Sequence, residues 1–119
     1  MYSPGHLHRA SLPDQPEFAV DLYYEVRQDP QEGPMLHFHL VGQIGGKGLD
    51  ESFELHRDTA YNFASVIAHI AEKHGLPVEH SLVMHDREEY ERMYRDIREK
   101  LGTHPGDPVD LDHLSKDHL

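Results

Sequence analysis

Two hydrophobic runs that alternate with a period of two constrain this chain more than any other feature. In "EFAVDLYYEVRQ", Glu17 to Gln28, the residues Phe18, Val20, Leu22, Tyr24 and Val26 share one parity, and Asp21, Tyr23, Glu25 and Arg27 the other. In "PMLHFHLVGQI" the residues Leu36, Phe38 and Leu40 again share a parity, and His37, His39 and Val41 the opposite one. Successive strand side chains point to opposite faces, so each run predicts a strand with one buried face and one polar face. A third run, Leu49 to His56, places Leu49, Phe53 and Leu55 on the core side. The connections "DPQEGP" and "GGKG" are turn clusters. Strands this close together pair as an antiparallel meander.

The hydrophobic period then changes. After Asp58, a suitable N-cap, the positions Ala60, Phe63, Ala64, Ile67, Ile70, Ala71 and His74 recur at helical spacing up to Gly75. Asp86 followed by Glu89 has the spacing of a capping box and predicts a second helix to about Leu101, stopped by Gly102. Its apolar stripe is Tyr90, Met93, Tyr94, Ile97 and Leu101. Between the helices, Ser81 to His85 reads as either a fourth short strand or a buried linker. The expected fold is α+β: a three-stranded antiparallel meander with two amphipathic helices packed on one face. Residues 1–16, rich in proline, read as an irregular N-terminal arm. Residues 17–102 form the domain, and residues 103–119 a loosely docked or disordered tail.

Charge and composition exclude several function classes. The formal net charge is −11 with histidine neutral. A field of that sign repels phosphate backbones and anionic membranes, so neither nucleic acid nor membrane is an expected partner. Protonating all twelve histidines would bring −11 to +1, so the net charge collapses as pH falls through about 6.5. There is no cysteine, hence no disulfide or thiolate metal site. A cytoplasmic location is expected, because the first residues lack the basic and apolar regions of a signal peptide and no long apolar run is present.

Catalytic signatures are sparse. "VGQIGGKG" resembles a phosphate-binding loop but has Val41 where glycine belongs and Gly48 where serine or threonine belongs, and a strand follows it. Asp110 and Asp112 lack the glycine and distal glutamate of a calcium loop. No serine occupies a nucleophile elbow. The expectation is therefore a non-enzymatic domain that needs no cofactor and binds a protein partner or a second copy of itself. Its candidate surface is the polar face of the meander around Tyr23, His37, His39 and Val41. The alternative is a divalent metal held by His37, His39 and Glu54. Two registers of the second hairpin are open. Pairing with a two-residue Gly45-Gly46 turn sets His37 against Glu54, and a four-residue turn sets His39 there.

The segments "GHLHRA", "DLYYEVRQDPQEG", "FELHRDTAYNFASV" and "KHGLP" resemble a family of small uncharacterised proteins from pseudomonads, grouped as a domain of unknown function. The resemblance spans about residues 5–114. It implies a single small domain and supplies no activity, ligand or catalytic residue.

Overall fold

The computed structural model describes residues 1–14, 17–76, 83, 86–104 and 106–117. The sheet has five strands in sequential antiparallel order: β1 (Tyr2–Ser3), β2 (His6–Ala10), β3 (Phe18–Asp29), β4 (Gly33–Ile44) and β5 (Lys47–His56). Among the described residues, three α-helices complete it: α1 (Phe63–Lys73), α2 (Arg87–Leu101) and α3 (Leu111–Lys116). Among the described residues no helix is long and apolar enough to cross a membrane.

The turns follow from their residues. Asp29 accepts hydrogen bonds from the backbone N–H groups of Gln31 and Glu32, closing the β3–β4 hairpin. Gly45 and Gly46 both have positive φ, +59° and +77°, as a two-residue turn between twisted strands requires. That turn selects the register with His37 opposite Glu54, and the first hairpin sets His37 opposite Glu25 and His39 opposite Tyr23.

One sheet face packs against α1 and α2. Leu36, Phe38 and Leu40 are fully buried. Phe38 stacks on Phe53 with ring centroids 4.7 Å apart, and on Phe63 of α1 at 6.0 Å. Tyr90 and Tyr94 of α2 lie against Phe63, which joins the helices over the sheet centre. Glu51 has inward parity yet stays polar, because Lys73 and His74 at the end of α1 meet its carboxylate. Arg57 donates to the carbonyls of Leu101 and Gly102, fixing the end of β5 to the C-terminus of α2.

Three expectations need correction. The first concerns residues 1–16, where an irregular arm was expected and β1 and β2 extend the sheet from three strands to five. Pro4-Gly5 forms their turn, and Tyr2 and Leu7 are buried. The alternation is hidden because the second inward residue of β2 is Arg9, buried and paired with Glu89 of α2. Tyr2 contributes a second tie: its hydroxyl lies 2.7 Å from that of Tyr24, which donates to Asp96 of α2. Burial and then Asp96 push the Tyr24 phenol far above its ordinary range.

The second correction concerns Asp58. It does not cap α1, which starts after a 3-10 turn, Ala60–Asn62, with Asn62 making no side-chain cap. Asp58 instead lies 2.7 Å from His113 and accepts from the backbone N–H of Asp110. The third concerns the expected loose tail, within which the described residues form α3 (Leu111–Lys116) and Asp117 docks on His56. A possible fourth strand over Ser81 to His85 lies outside the described residues except for Val83, which is buried.

Asp86 does cap α2, accepting from the backbone N–H of Glu89. Glu89 directs its carboxylate to Arg9 rather than back to the cap. Burial raises its pKa, but the Arg9 hydrogen bond and charge outweigh this and hold it below the ordinary glutamate value. The folded value is thus below the unfolded one, about 4.3. The pair's contribution is complete above that pH and is lost as pH falls through the folded value. Glu89→Gln should cost about 2–3 kcal/mol near pH 7, somewhat less than breaking a fully buried pair. It should also flatten the stability–pH curve below about pH 4.3. Urea midpoints from pH 7 to 3 for both proteins check this, and parallel curves would show that Glu89 is not the titrating group.

Candidate functional site on the outer sheet face

The face of β2–β5 turned away from α1 and α2 carries histidines and carboxylates in alternating columns. β2 contributes His6 and His8, β3 Asp21, Tyr23 and Glu25, β4 His37, His39 and Val41, and β5 Asp50, Ser52 and Glu54. Cross-strand register gives the rows His6–Tyr23–His39–Ser52 and His8–Asp21–Val41–Asp50, with Glu25–His37–Glu54 beside them. Side chains in such rows are direct neighbours. The polar parity of the meander thus extends over four strands, with a second His-x-His pair on β2. That pair was legible in "GHLHRA" but needed β2 to place it on this face.

Three of the four imidazoles meet a carboxylate at hydrogen-bond distance, two of them sharing Asp21. His6 Nε2 is 2.8 Å and His8 Nδ1 3.0 Å from Asp21, and His39 Nε2 is 2.7 Å from Asp50. The His6 hydrogen bond, ahead of opposing burial and with His8 added, keeps the Asp21 carboxyl below its ordinary range. His37 is different: its Nδ1 is shielded from solvent, makes no hydrogen bond among the described residues, and lies 3.8 Å from Glu54. The histidines of the proposed triad thus turn to separate carboxylates, so the fold does not gather His37, His39 and Glu54 as one close ligand set. Among the described residues, the ligand atoms that come within 4.8 Å of one another belong to Glu32, His56 and His113.

Tyr23 is the centre of the face. It is 45% exposed, although most aromatic side chains of the fold are packed against the core. The His6 ring stacks on it, centroids 4.6 Å apart and planes 8° apart. Beside it a shallow concavity of about 320 Å³ is lined by Tyr23, Glu25, Arg27, His37 and His39. Val41 is half-buried in the neighbouring row. An aromatic ring, imidazoles and an aliphatic group within a polar rim can form stacking, hydrogen-bonding and apolar contacts together.

The outward parity ends differently at the far end of β5. Met35 and His56 face each other across the strands and are both buried. His56 Nδ1 lies 2.8 Å from Asp117, its Nε2 3.1 Å from Glu32, and its ring stacks on His113 at 3.9 Å. Burial opposes protonation of His56, but Asp117 and then Glu32 outweigh it and raise its pKa. The sequence marks neither residue: His56 looks like one more polar residue on a strand and His113 lies in the supposed tail.

The solved solution structure of an uncharacterized protein from Pseudomonas aeruginosa is similar to this chain, with 47% identity and a TM-score of 0.75, covering 98% of this chain and 94% of its own. No curated protein matches. The family described as a domain of unknown function, DUF5064, matches residues 1–114, and the chain belongs to that family.

Proposed function

We propose that this protein is a non-enzymatic binding domain that engages a protein through the outer sheet face around Tyr23, His37, His39 and Val41. The observation that carries the reading is the exposed Tyr23, stacked by His6 at the middle of a four-stranded face turned away from α1 and α2. A second copy of the chain is the partner to test first. The face carries its own complement, since histidine columns on β2 and β4 alternate with carboxylate columns on β3 and β5. A copy related by two-fold symmetry can set one against the other. The acidic net charge favours a protein over a nucleic acid.

Sedimentation velocity over a wide concentration range tests this. Val41→Glu buries a charge at the centre of the contact and should weaken association about tenfold or more, a change of about 1.4 kcal/mol. A strict monomer at every concentration, with Val41→Glu indistinguishable from the parent, removes the self-association reading.

A second reading is a divalent metal at His37, His39 and Glu54. It is supported by the unbonded His37 Nδ1 near Glu54 and opposed by the turn of His39 towards Asp50. Its signature is stoichiometric Zn²⁺ that disappears in a His37→Ala/His39→Ala protein.

A further inference from the structure

Three side chains from separate parts of the chain converge beyond the end of β5. Glu32 comes from the β3–β4 turn, His56 from the last residue of β5 and His113 from α3. His56 and Asp117 are almost wholly buried, with 3% and 4% of their side chains exposed. We propose that Glu32, His56 and His113 form a binding site for a divalent transition metal, oriented by Asp117 and Asp58 and completed by the docking of α3.

The hydrogen bonds around the imidazoles carry the argument. His56 Nδ1 is tied to Asp117 at 2.8 Å and His113 Nδ1 to Asp58 at 2.7 Å. A carboxylate on one ring nitrogen fixes the ring, makes the other nitrogen the lone-pair donor and raises its basicity, which is how metal-ligating histidines are held. The other nitrogen of His56 faces a carboxylate: Nε2 stands 3.1 Å from Glu32 Oε2. A proton on Nε2 holds that contact in the metal-free protein, and a metal ion can take the proton's place there. A metal about 2.0–2.2 Å from each atom spans such a gap at an angle of roughly 100°. His113 Nε2 has the Asp110 carboxylate 3.9 Å away.

Charge favours the same occupant. Glu32, Asp58, Asp110 and Asp117 surround the imidazoles, and Lys116 is the cation among them, bonded to Glu32 Oε1. That bond leaves Oε2 for the metal. Two neutral imidazoles and one carboxylate suit Zn²⁺, Co²⁺, Ni²⁺ or Fe²⁺ and leave positions open, whereas Mg²⁺ and Ca²⁺ take oxygen ligands. The stacked rings, 3.9 Å apart and 9° from parallel, hold their in-plane lone pairs in nearly parallel planes, which do not meet at one ion. Coordination by both therefore tilts His113 out of the stack. Helix α3 can follow, being six residues long with none of them buried.

The full-length untagged chain, stripped with chelator, is titrated with ZnCl₂ by calorimetry while ¹⁵N–¹H spectra are recorded. The expected result is one equivalent bound, with shifts centred on Glu32, His56 and His113. His113→Ala, a change in a short exposed helix that leaves the core intact, should weaken binding at least tenfold. His37→Ala/His39→Ala should leave it unchanged. The proposal is overturned by no saturable binding up to millimolar Zn²⁺, by binding that His113→Ala does not affect, or by binding that only the His37→Ala/His39→Ala protein loses. That last outcome would place the metal on the outer sheet face instead.

Discussion

Phe38→Ala is expected to lower stability by about 3–5 kcal/mol, a large part of the 5–15 kcal/mol that holds a domain of this kind together. Phe38 is fully buried at the middle of β4. Its ring touches three others: Phe53 across the strand pair, Tyr24 on β3 and Phe63 on α1. Truncation removes the transfer free energy of a phenyl ring and leaves a cavity between a sheet and a helix. Neither wall can close it, since β4 is hydrogen-bonded to β3 and β5 along its length. Urea unfolding followed by far-ultraviolet circular dichroism measures the loss. The midpoint should fall while the slope is preserved, which marks a change in stability rather than in the unfolded state. A loss below about 1 kcal/mol would mean that the core is not centred on this ring.

Gly42→Ala should be nearly as damaging, for a different reason. Gly42 sits in β4 opposite Val20 and Leu49, with φ of +145°. The pairing register is the same on either side of it, so it is no bulge. A Cβ there would stand 2.1 Å from the carbonyl oxygen of Ala19 and 2.8 Å from Cα of Val20. Both obstacles are backbone, so no side chain can swing aside and β3 and β4 must part. Overpacking and the unfavourable φ together should cost about 3 kcal/mol. Gly48→Ala is the control: nothing lies within 4 Å of a Cβ built there, and its φ is not positive. It should shift stability by less than about 0.5 kcal/mol. Equal thermal midpoints for the two variants would refute the close approach at Gly42.

The mixed character of the outer face and the buried cluster at His56 share a cause. Both sit on the outward parity of the sheet, and the difference between them is what packs on top. Around Tyr23 the strands meet no other element of the described chain. Around His56 the Glu32 turn and α3 close over the surface and turn a polar strand residue into a buried one. Burial of an imidazole without partners would be costly, so Asp117 and Glu32 are part of what allows it.

Sequence alone determined what depends on neighbouring residues. The period-two runs placed Leu36, Phe38 and Leu40 inside and His37 and His39 outside. The Gly45-Gly46 turn narrowed the register to a choice that includes the observed one, and Asp86 and Gly102 marked the ends of α2. These signals are local because strand parity, turn conformation and helix caps are set within a few residues. Only the tertiary structure decided where long-range partners replace hydrophobic ones. Arg9 breaks the apolar alternation of β2, and its place inside is stabilised by Glu89, eighty residues away. Asp58 has the sequence look of a helix cap, yet His113 and the Asp110 backbone claim its carboxylate. His56, Glu32 and His113 share no spacing that a reader could recognise, because three elements must fold before the three side chains meet. A buried polar group is satisfied by whatever donor or acceptor the fold brings to it, and that partner leaves no mark in the local sequence.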